Sequence, residues 1–254
     1  MSEVKFTPKM LGIVCNWCCY GGADLCGVSR FQYPPYIKLM RVMCSGRVEM
    51  SHIFRAFSNG ADGVFVGGCH INDCHYITEG NYDALGMITM CKKLLGLIGV
   101  NPERLRLEWV SAGEGIRFAN IMNEFSGKIE KLGPLGKAEG MDEAALKFQF
   151  DAVMKLIPYI KLVERERLRV PVRSEEAYLK FFQSYEFNRL FNETILENLA
   201  ISQIMSLLRE KPLTTGEIAK ALDLTPSEVS RHLNNSTRHR FVRYDEGLKA
   251  YSLA

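Results

Sequence analysis

No cysteine occurs after Cys91 in this chain of 254 residues, and all eight cysteines lie at or before that position. The sequence also lacks an apolar run near the roughly 18 to 20 residues that a bilayer-spanning helix needs. Its first ten residues lack the apolar core of a signal peptide. These absences predict a cytoplasmic protein with no membrane segment. Since thiols stay reduced in the cytoplasm, clustered cysteines there favour metal binding or redox chemistry over a disulfide framework.

The sequence also lacks a large excess of positive or negative charge, because its 32 basic side chains are nearly balanced by 29 acidic ones. That balance excludes a polyacidic or polybasic tail, and a hydrophobic fraction of 47% is typical of a globular protein. The glycine motifs GxGxxG and GxxxxGK[ST] and the nucleophile motif GxSxG are missing. The sequence therefore gives no indication of a nucleotide site or of a serine nucleophile.

Short apolar runs alternate with helix-like stretches from residue 10 to about residue 132. Each run is rich in β-branched or aromatic residues, which favours strands. Because parallel strands need crossover connections, this alternation predicts a doubly wound, flavodoxin-like α/β domain. A short helix is expected within 22–32, ended by Pro34 and Pro35. The predicted strands are 10–14, 37–43, 63–66 and 105–110, and the longer predicted helices are 48–59, 82–98 and 114–131.

Glycine and proline cluster in the stretch LGPLGKAEG, which breaks helices and predicts a linker or domain boundary. The residues after it have helical patterns, with an amphipathic helix over 142–168 interrupted at Pro158 and one or two more over 174–209. We therefore expect three regions. They are an α/β domain over 1–136, a helical linker over 137–193 and a winged helix-turn-helix-like domain over 194–254.

The last region carries the pattern of a winged helix-turn-helix. A first helix is followed by a short helix over 215–221 and by a third helix that Thr225 caps, with Glu228 at the capping-box position. The tail RFVRYDEGLKAYSLA then predicts a two-stranded wing that turns at 245–247.

Three of the predicted strand ends carry a cysteine. Cys15 follows the first strand, Cys44 the second and Cys69 the third, while Cys18 forms a CxxC with Cys15 and Cys74 lies five residues after Cys69. Ligands of open α/β sheets bind outside the carboxyl ends of the strands, so these thiols are expected to converge. The sequence thus offers five candidate ligands for a site that commonly takes four.

Three occupants stay open from the residues alone: an iron-sulfur cluster, a structural zinc ion or a dithiol redox pair. A 2Fe-2S core held by four thiolates carries a net charge of about −2, which nearby amides and cations must stabilise. We expect Gly46, Arg47, His70 and His75 to surround the occupant, because glycine allows close backbone approach and the cations offset charge. The remaining cysteines are expected to point elsewhere or to fill the core: Cys19, Cys26 and Cys91.

Five segments of the chain closely resemble the delta (iron-sulfur) subunit family of methyl-viologen-reducing hydrogenase. They are CNWCCYGGADLCGVSRFQYPP, RVMCSGRV, ADGVFVGGCHINDCHY, GNY and RLRLEWVSAGEG, and they cover roughly residues 8–133, about half of the chain. The resemblance implies a small 2Fe-2S protein that passes electrons between a hydrogenase or formate dehydrogenase module and the flavin-containing subunit of heterodisulfide reductase. It implies complexes that perform flavin-based electron bifurcation. It also implies that the recurring cysteines of that family correspond to Cys15, Cys18, Cys44, Cys69 and Cys74.

Two features depart from the family pattern. The chain continues for about 120 residues past Gly133, and position 19 carries a cysteine where the family usually has another small residue. The extension leaves the partners open, because related domains occur beside several reductases. The electron donor could be a hydrogenase, a formate dehydrogenase or a methylene-tetrahydrofolate reductase module.

The winged-helix pattern adds a second function class, a redox- or metal-sensing transcriptional regulator with a cysteine-ligated metal site. The segment TPSEVSRHL resembles the recognition helix of bacterial and archaeal repressors. Residues 194–254 hold eight basic and seven acidic side chains, however, and phosphate contacts supply much of the affinity for DNA. We therefore expect DNA to be a poor partner and the domain to dock other proteins of a complex, since fold does not fix function.

Overall fold

The structure is a computed structural model that describes residues 6–77, 79–238 and 240–254. Among these residues, no helix combines the length and the apolar character that crossing a lipid bilayer requires.

The chain forms two compact units. Unit 1 is Met1–Phe150 with Val170–Gln183, and unit 2 is Asp151–Arg169 with Ser184–Ala254. This division differs from the three regions expected from composition, 1–136, 137–193 and 194–254, whose bounds stay a prediction.

Unit 1 contains a four-stranded parallel sheet formed by β1 (Met10–Cys15), β2 (Ile37–Val42), β3 (Gly63–Gly68) and β4 (Leu105–Trp109). The strand order is β2-β1-β3-β4, as in a flavodoxin-like doubly wound sheet, so the predicted fold class is confirmed. Cys15 pairs with Val42 of β2, and Val14 pairs with Gly67 of β3. The carboxyl ends of these three strands therefore lie side by side.

Four helices accompany this sheet: α1 (Cys18–Val28), α2 (Met50–Ser58), α3 (Asn81–Leu97) and α4 (Gly115–Leu132). Helices α1 and α4 pack together and bury Cys26, Phe118 and Phe125 in one core with Phe65 of β3, while α2 packs against α3. Helix α1 begins at Cys18, four residues before the expected range of 22–32. Glycines have low helix propensity, and packing overrides that local preference here. Gly22 lies so close to the Ser111 carbonyl that a Cβ there would be 2.8 Å from its oxygen.

The glycine-rich stretch after α4 is anchored to unit 1. The Arg104 side chain is fully buried, and its Nε lies 2.6 Å from Glu139 Oε1. The same guanidinium donates to the carbonyls of Asp62 and Gly133 at 3.1 and 2.9 Å. The stretch is therefore a fixed irregular loop, held by a buried ion pair.

The long helix α5 (Glu143–Arg167) runs without interruption through Pro158, so the predicted break there is wrong. A proline inside a helix removes one N–H donor and costs about 3 kcal/mol. Within unit 2 this helix buries Val153, Leu156, Ile157 and Ile160, and the burial of that apolar stripe offsets the cost.

The range 174–209, predicted to hold one or two helices, holds three, two of which are joined by a π-helical turn. Helix α6 (Glu175–Gln183) belongs to unit 1, where Tyr178 packs against Tyr82 with ring centroids 5.2 Å apart. Helix α7 (Tyr185–Phe191) belongs to unit 2 and continues through a π-helical turn (Asn192–Leu196) into α8 (Glu197–Glu210).

Unit 2 ends in three helices followed by a two-stranded antiparallel sheet. After α8 come α9 (Thr215–Leu222), α10 (Pro226–Arg238), β5 (Val242–Asp245) and β6 (Ala250–Leu253). The predicted capping box is present, since the Glu228 N–H donates to Thr225 Oγ1 at 3.3 Å and the Thr225 N–H donates to Glu228 Oε2 at 2.9 Å. These local contacts start α10.

Candidate metal centre

Five thiols meet at the carboxyl end of the unit 1 sheet. Cys15 ends β1 and Cys69 follows β3, so the two flank the point where the strand order reverses, which is where doubly wound sheets bind ligands. Their sulfurs are 3.8 Å apart. Two thiolates on one tetrahedral metal, each about 2.3 Å from it, have a sulfur-sulfur distance of about 3.8 Å. The pair is therefore spaced as two ligands of one metal atom.

The other three thiols lie beside this pair. Cys18 lies close enough to Cys69, and Cys44 close enough to Cys74, for the two thiols of each pair to influence each other's pKa. The Cys44 thiol donates to the Glu79 carbonyl at 3.9 Å. Cys44 also interacts electrostatically with Cys15, and Cys18 with Cys74. Cys18 and Cys74 are half-buried, and the others are buried. The structure thus brings together all five cysteines that the sequence singles out.

The thiols are arranged in pairs. One pair is Cys15 with Cys69, a second is Cys44 with Cys74, and Cys18 lies next to the first. Within the part of the chain that the structure describes, no three His, Cys, Asp or Glu side chains form a group that could hold a metal ion. Paired thiolate donors are used both by structural zinc ions and by iron-sulfur clusters.

The thiol pKa values differ because each thiol has its own balance of hydrogen bonds and burial. The Cys69 thiol and the backbone N–H groups at the start of α1 lower the pKa of Cys15 to about 6, although burial opposes this. The same hydrogen bond and burial raise the pKa of Cys69. Burial raises the pKa of Cys44 to about 11, against the effect of the Gly46 N–H. Cys15 is thus the thiol that this backbone best stabilises as a thiolate.

Backbone N–H groups point at two of the sulfurs. The Cys19 N–H, in the first turn of α1, donates to Cys15 Sγ at 3.3 Å, and the Gly46 N–H donates to Cys44 Sγ at 3.4 Å. The amino-terminal end of a helix carries partial positive charge, which adds to the first of these contacts. Both contacts stabilise negative charge on sulfur, as an anionic cluster requires.

Two glycines allow the thiol loops to approach each other closely. A Cβ at Gly46 would overlap the carbonyl groups of Glu79 and Gly80, and a Cβ at Gly80 would overlap the Cys74 thiol and the Tyr76 carbonyl. Gly46 was expected from the sequence, and Gly80 was not. The segment that follows Cys74 therefore folds back onto the Cys44 turn.

The predicted cationic neighbours flank the thiols. His70 follows Cys69, and its Nε2 lies 2.6 Å from Glu114 Oε2. The ring of His75 stacks on Trp17 at a centroid distance of 4.1 Å. Arg47 is exposed at the end of the turn that Cys44 begins.

The remaining cysteines lie away from the group or face away from it, as expected. The Cys19 side chain is buried against Gly67 of β3. The Cys26 thiol donates to the Phe31 carbonyl at 3.4 Å, and Cys91 is buried within α3.

Two polar residues at the site were not identified from the sequence. Asn81 is buried at the start of α3, and its Nδ2 donates to the carbonyls of Cys69 and His70 at 3.0 and 2.7 Å, which fixes the loop that carries Cys69. The segment GNY offered a signal, because it is one of the segments that resemble the family. Ser45 follows Cys44, and its buried hydroxyl has no hydrogen-bond partner among the described residues. A buried serine cannot be told from an exposed one by local pattern.

Two family models match the chain. The model described as methyl-viologen-reducing hydrogenase, delta subunit, matches residues 10–133. The model described as bacterial regulatory protein, arsR family, matches residues 202–235, which lie in α8, α9 and α10.

Curated proteins similar to this chain match about half of it. The iron-sulfur subunit of the F420-non-reducing hydrogenase of Archaeoglobus profundus is 54% identical over 134 residues, which are 53% of this chain and 96% of that protein. The iron-sulfur subunit of the vhc F420-non-reducing hydrogenase of Methanococcus voltae is 53% identical over 130 residues, 51% of this chain and 90% of that protein. One chain of the ferredoxin/F420H2-dependent CoB-CoM heterodisulfide reductase of Methanosarcina acetivorans is 46% identical over 129 residues, 51% of this chain but 16% of that protein.

Proposed function

The chain belongs to the family of methyl-viologen-reducing hydrogenase delta subunits, and from that membership we propose that unit 1 holds one 2Fe-2S cluster and relays single electrons within a larger oxidoreductase complex. The observation that carries this proposal is the convergence of five thiols at one sheet edge, with Cys15 and Cys69 spaced as two ligands of one metal atom. In this proposal the protein works in the cytoplasm, where thiols stay reduced.

Four of the five thiols suffice for such a cluster. In the proposed ligand set, Cys15 and Cys69 hold one iron, and Cys44 and Cys74 hold the other. Cys18, next to the first pair, is the alternative ligand. A structural zinc ion could also use four thiolates, and the relatives named as iron-sulfur subunits are what favour an iron-sulfur cluster here.

The chain's own residues prepare the site for negative charge. When bound, the cluster supplies one-electron oxidation and reduction. The N–H groups of Cys19 and Gly46 stabilise the thiolates of Cys15 and Cys44. Asn81 holds the loop of Cys69 in place, and His70, His75 and Arg47 offset charge at the rim.

The relatives indicate the kind of partner. A domain of this kind is a separate iron-sulfur protein in two hydrogenases and a small part of a much longer chain in a heterodisulfide reductase. We infer that this chain receives electrons from a hydrogenase, formate dehydrogenase or methylene-tetrahydrofolate reductase module. It passes them to the flavin subunit of a heterodisulfide reductase-type, electron-bifurcating complex.

The surface around the thiols supports a docking role. Four large apolar side chains of the thiol-bearing loops are exposed: Trp17 by 39%, Met43 by 56%, Tyr76 by 38% and Ile77 by 81%. Grouped exposed apolar side chains are typical of protein interaction sites. We assign this rim to the heterodisulfide reductase partner, because the Methanosarcina relative joins the same kind of domain covalently to the rest of a heterodisulfide reductase chain.

The test is the composition and spectrum of protein purified without oxygen. About two irons and two sulfides per chain are expected, with a visible absorption band and an electron paramagnetic resonance signal that appears on reduction. One zinc ion per chain and no colour would contradict the proposal and make the thiol group structural.

A second candidate function, DNA-binding regulation, is favoured by the arsR-type match over 202–235. Three features of unit 2 favour protein docking instead. Arg231 of α10 lies 3.6 Å from Glu197, and the turn between the wing strands carries Asp245 and Glu246, which repel phosphate. The wing also exposes Leu248 by 63%. Tight binding to the protein's own promoter, weakening steeply with salt, would support regulation over docking.

A further inference from the structure

Ser45 carries a buried hydroxyl that lacks a hydrogen-bond partner in the part of the chain that the structure describes. The residue is 1% exposed. A buried polar group without a partner is destabilising, and native proteins keep such groups rarely. Its presence in the Cys44 turn therefore requires a physical reason.

The position of this hydroxyl connects it to two of the proposed ligands. Ser45 directly follows Cys44, in the same turn whose Gly46 N–H donates to Cys44 Sγ. Its Oγ lies against Gly68, the residue that directly precedes Cys69.

The space for the hydroxyl exists because residue 68 is glycine. A Cβ at Gly68 would lie 2.6 Å from Ser45 Oγ and 2.7 Å from Cζ3 of Trp109. Any side chain at position 68 would displace either the hydroxyl or the indole ring. The fold therefore places this hydroxyl between the turn that carries Cys44 and the backbone that leads to Cys69.

We propose that the Ser45 hydroxyl donates a hydrogen bond to a sulfur of the iron-sulfur cluster and raises its reduction potential. This inference rests on the proposed function. The reduced cluster carries one more negative charge than the oxidised cluster, so a donor to sulfur stabilises the reduced state more. In this proposal Ser45 tunes the reduction potential by a direct hydrogen bond and is not itself a ligand.

The test compares Ser45→Ala with Ser126→Ala in the full chain with its cluster. Ser126 is the matched control, because it is also 1% exposed and its hydroxyl already pairs with Tyr36.

The readouts are iron and sulfide per chain and the midpoint potential from a mediated redox titration. Ser45→Ala is expected to keep the cluster and to titrate at a lower potential. A tenfold weaker preference for the reduced state corresponds to about 59 mV for one electron. Ser126→Ala is expected to match the unaltered protein.

A third variant separates the hydroxyl from packing. Ser45→Thr keeps the hydroxyl, and its potential is expected to lie closer to that of the unaltered protein than the potential of Ser45→Ala does. Equal potentials in Ser45→Ala and the unaltered protein would overturn the inference. Loss of the cluster in both Ser45 variants would also overturn it, because Ser45 would then act through packing. Absence of iron from the unaltered protein would instead refute the proposed function itself.

Discussion

The sulfurs of Cys15 and Cys69 lie 3.8 Å apart although 54 residues separate the two cysteines along the chain. They meet because β1 pairs with β3 on one side and with β2 on the other, so the ends of the first and third strands are neighbours. Cys44, two residues after the end of β2, is one strand further out and lies near Cys74 from the loop after β3. The sheet order thus sorts the thiols into pairs.

Replacing either Cys44 or Cys69 by serine is expected to abolish the cluster, because each belongs to a different thiol pair. The measurement is iron and sulfide content together with the visible spectrum. Cys26→Ser and Cys91→Ser are the controls, since both thiols are buried away from the group. An unchanged spectrum in the first two variants would refute the assignment.

Cys18 and Cys74 are expected to behave differently when each is replaced by serine. Cys74 completes the pair with Cys44, whereas Cys18 lies beside a pair that is already complete. Cys18→Ser should therefore retain close to two irons per chain and Cys74→Ser should lose most of them. Loss of iron from Cys18→Ser but not from Cys74→Ser would make Cys18 a ligand and Cys74 the spare thiol.

Gly80→Ala is expected to lower the iron content strongly while the secondary structure persists. The added Cβ would overlap the Cys74 thiol and the Tyr76 carbonyl, which displaces one proposed ligand. Gly113→Ala is the matched control, because a Cβ there meets no atom within 4 Å among the described residues. Circular dichroism and iron analysis on both variants check this prediction, and full iron loading of Gly80→Ala would contradict it.

Glu139→Gln is expected to destabilise unit 1 by about 3–5 kcal/mol, because it leaves the buried Arg104 guanidinium without its counter-charge. Urea unfolding followed by tryptophan fluorescence measures this directly, since both tryptophans, Trp17 and Trp109, lie in unit 1. Glu124→Gln serves as the comparison, as Glu124 is 67% exposed in its ion pair. Its effect should stay below about 1 kcal/mol. Equal effects in the two variants would show that the loop is not anchored by this pair.

Met43→Glu and Ile77→Glu are expected to weaken binding to the purified flavin subunit of a heterodisulfide reductase at least about tenfold, since a charge replaces an exposed apolar contact at the rim of the thiol site. Both variants should keep the cluster and accept electrons from dithionite. Val28→Glu is the control, because Val28 is 76% exposed at the far end of α1, away from the thiols. Titration calorimetry gives the affinities, and a similar loss with Val28→Glu would place the interface elsewhere.

Much of the fold could be predicted because the relevant signals are local. Strand-like apolar runs, intervening helix patterns and the capping box at Thr225 each depend on residues close in sequence, and the structure has these elements at nearly the expected positions. The break at Pro158 was wrong because the burial of a long apolar stripe offset a local penalty. Helix α1 began early for a similar reason, since Gly22 packs against the Ser111 backbone.

The sequence by itself determined which residues bear thiols and that they follow strands, because alternation and spacing are properties of the chain. Tertiary structure alone decided the pairing of Cys15 with Cys69, the closeness of Gly80 to Cys74 and the burial of the Ser45 hydroxyl without a partner among the described residues. Each of these depends on which strands become neighbours and on which loop folds over which strand end. Contacts between residues distant in sequence form only when the whole sheet assembles, so no local pattern could specify them.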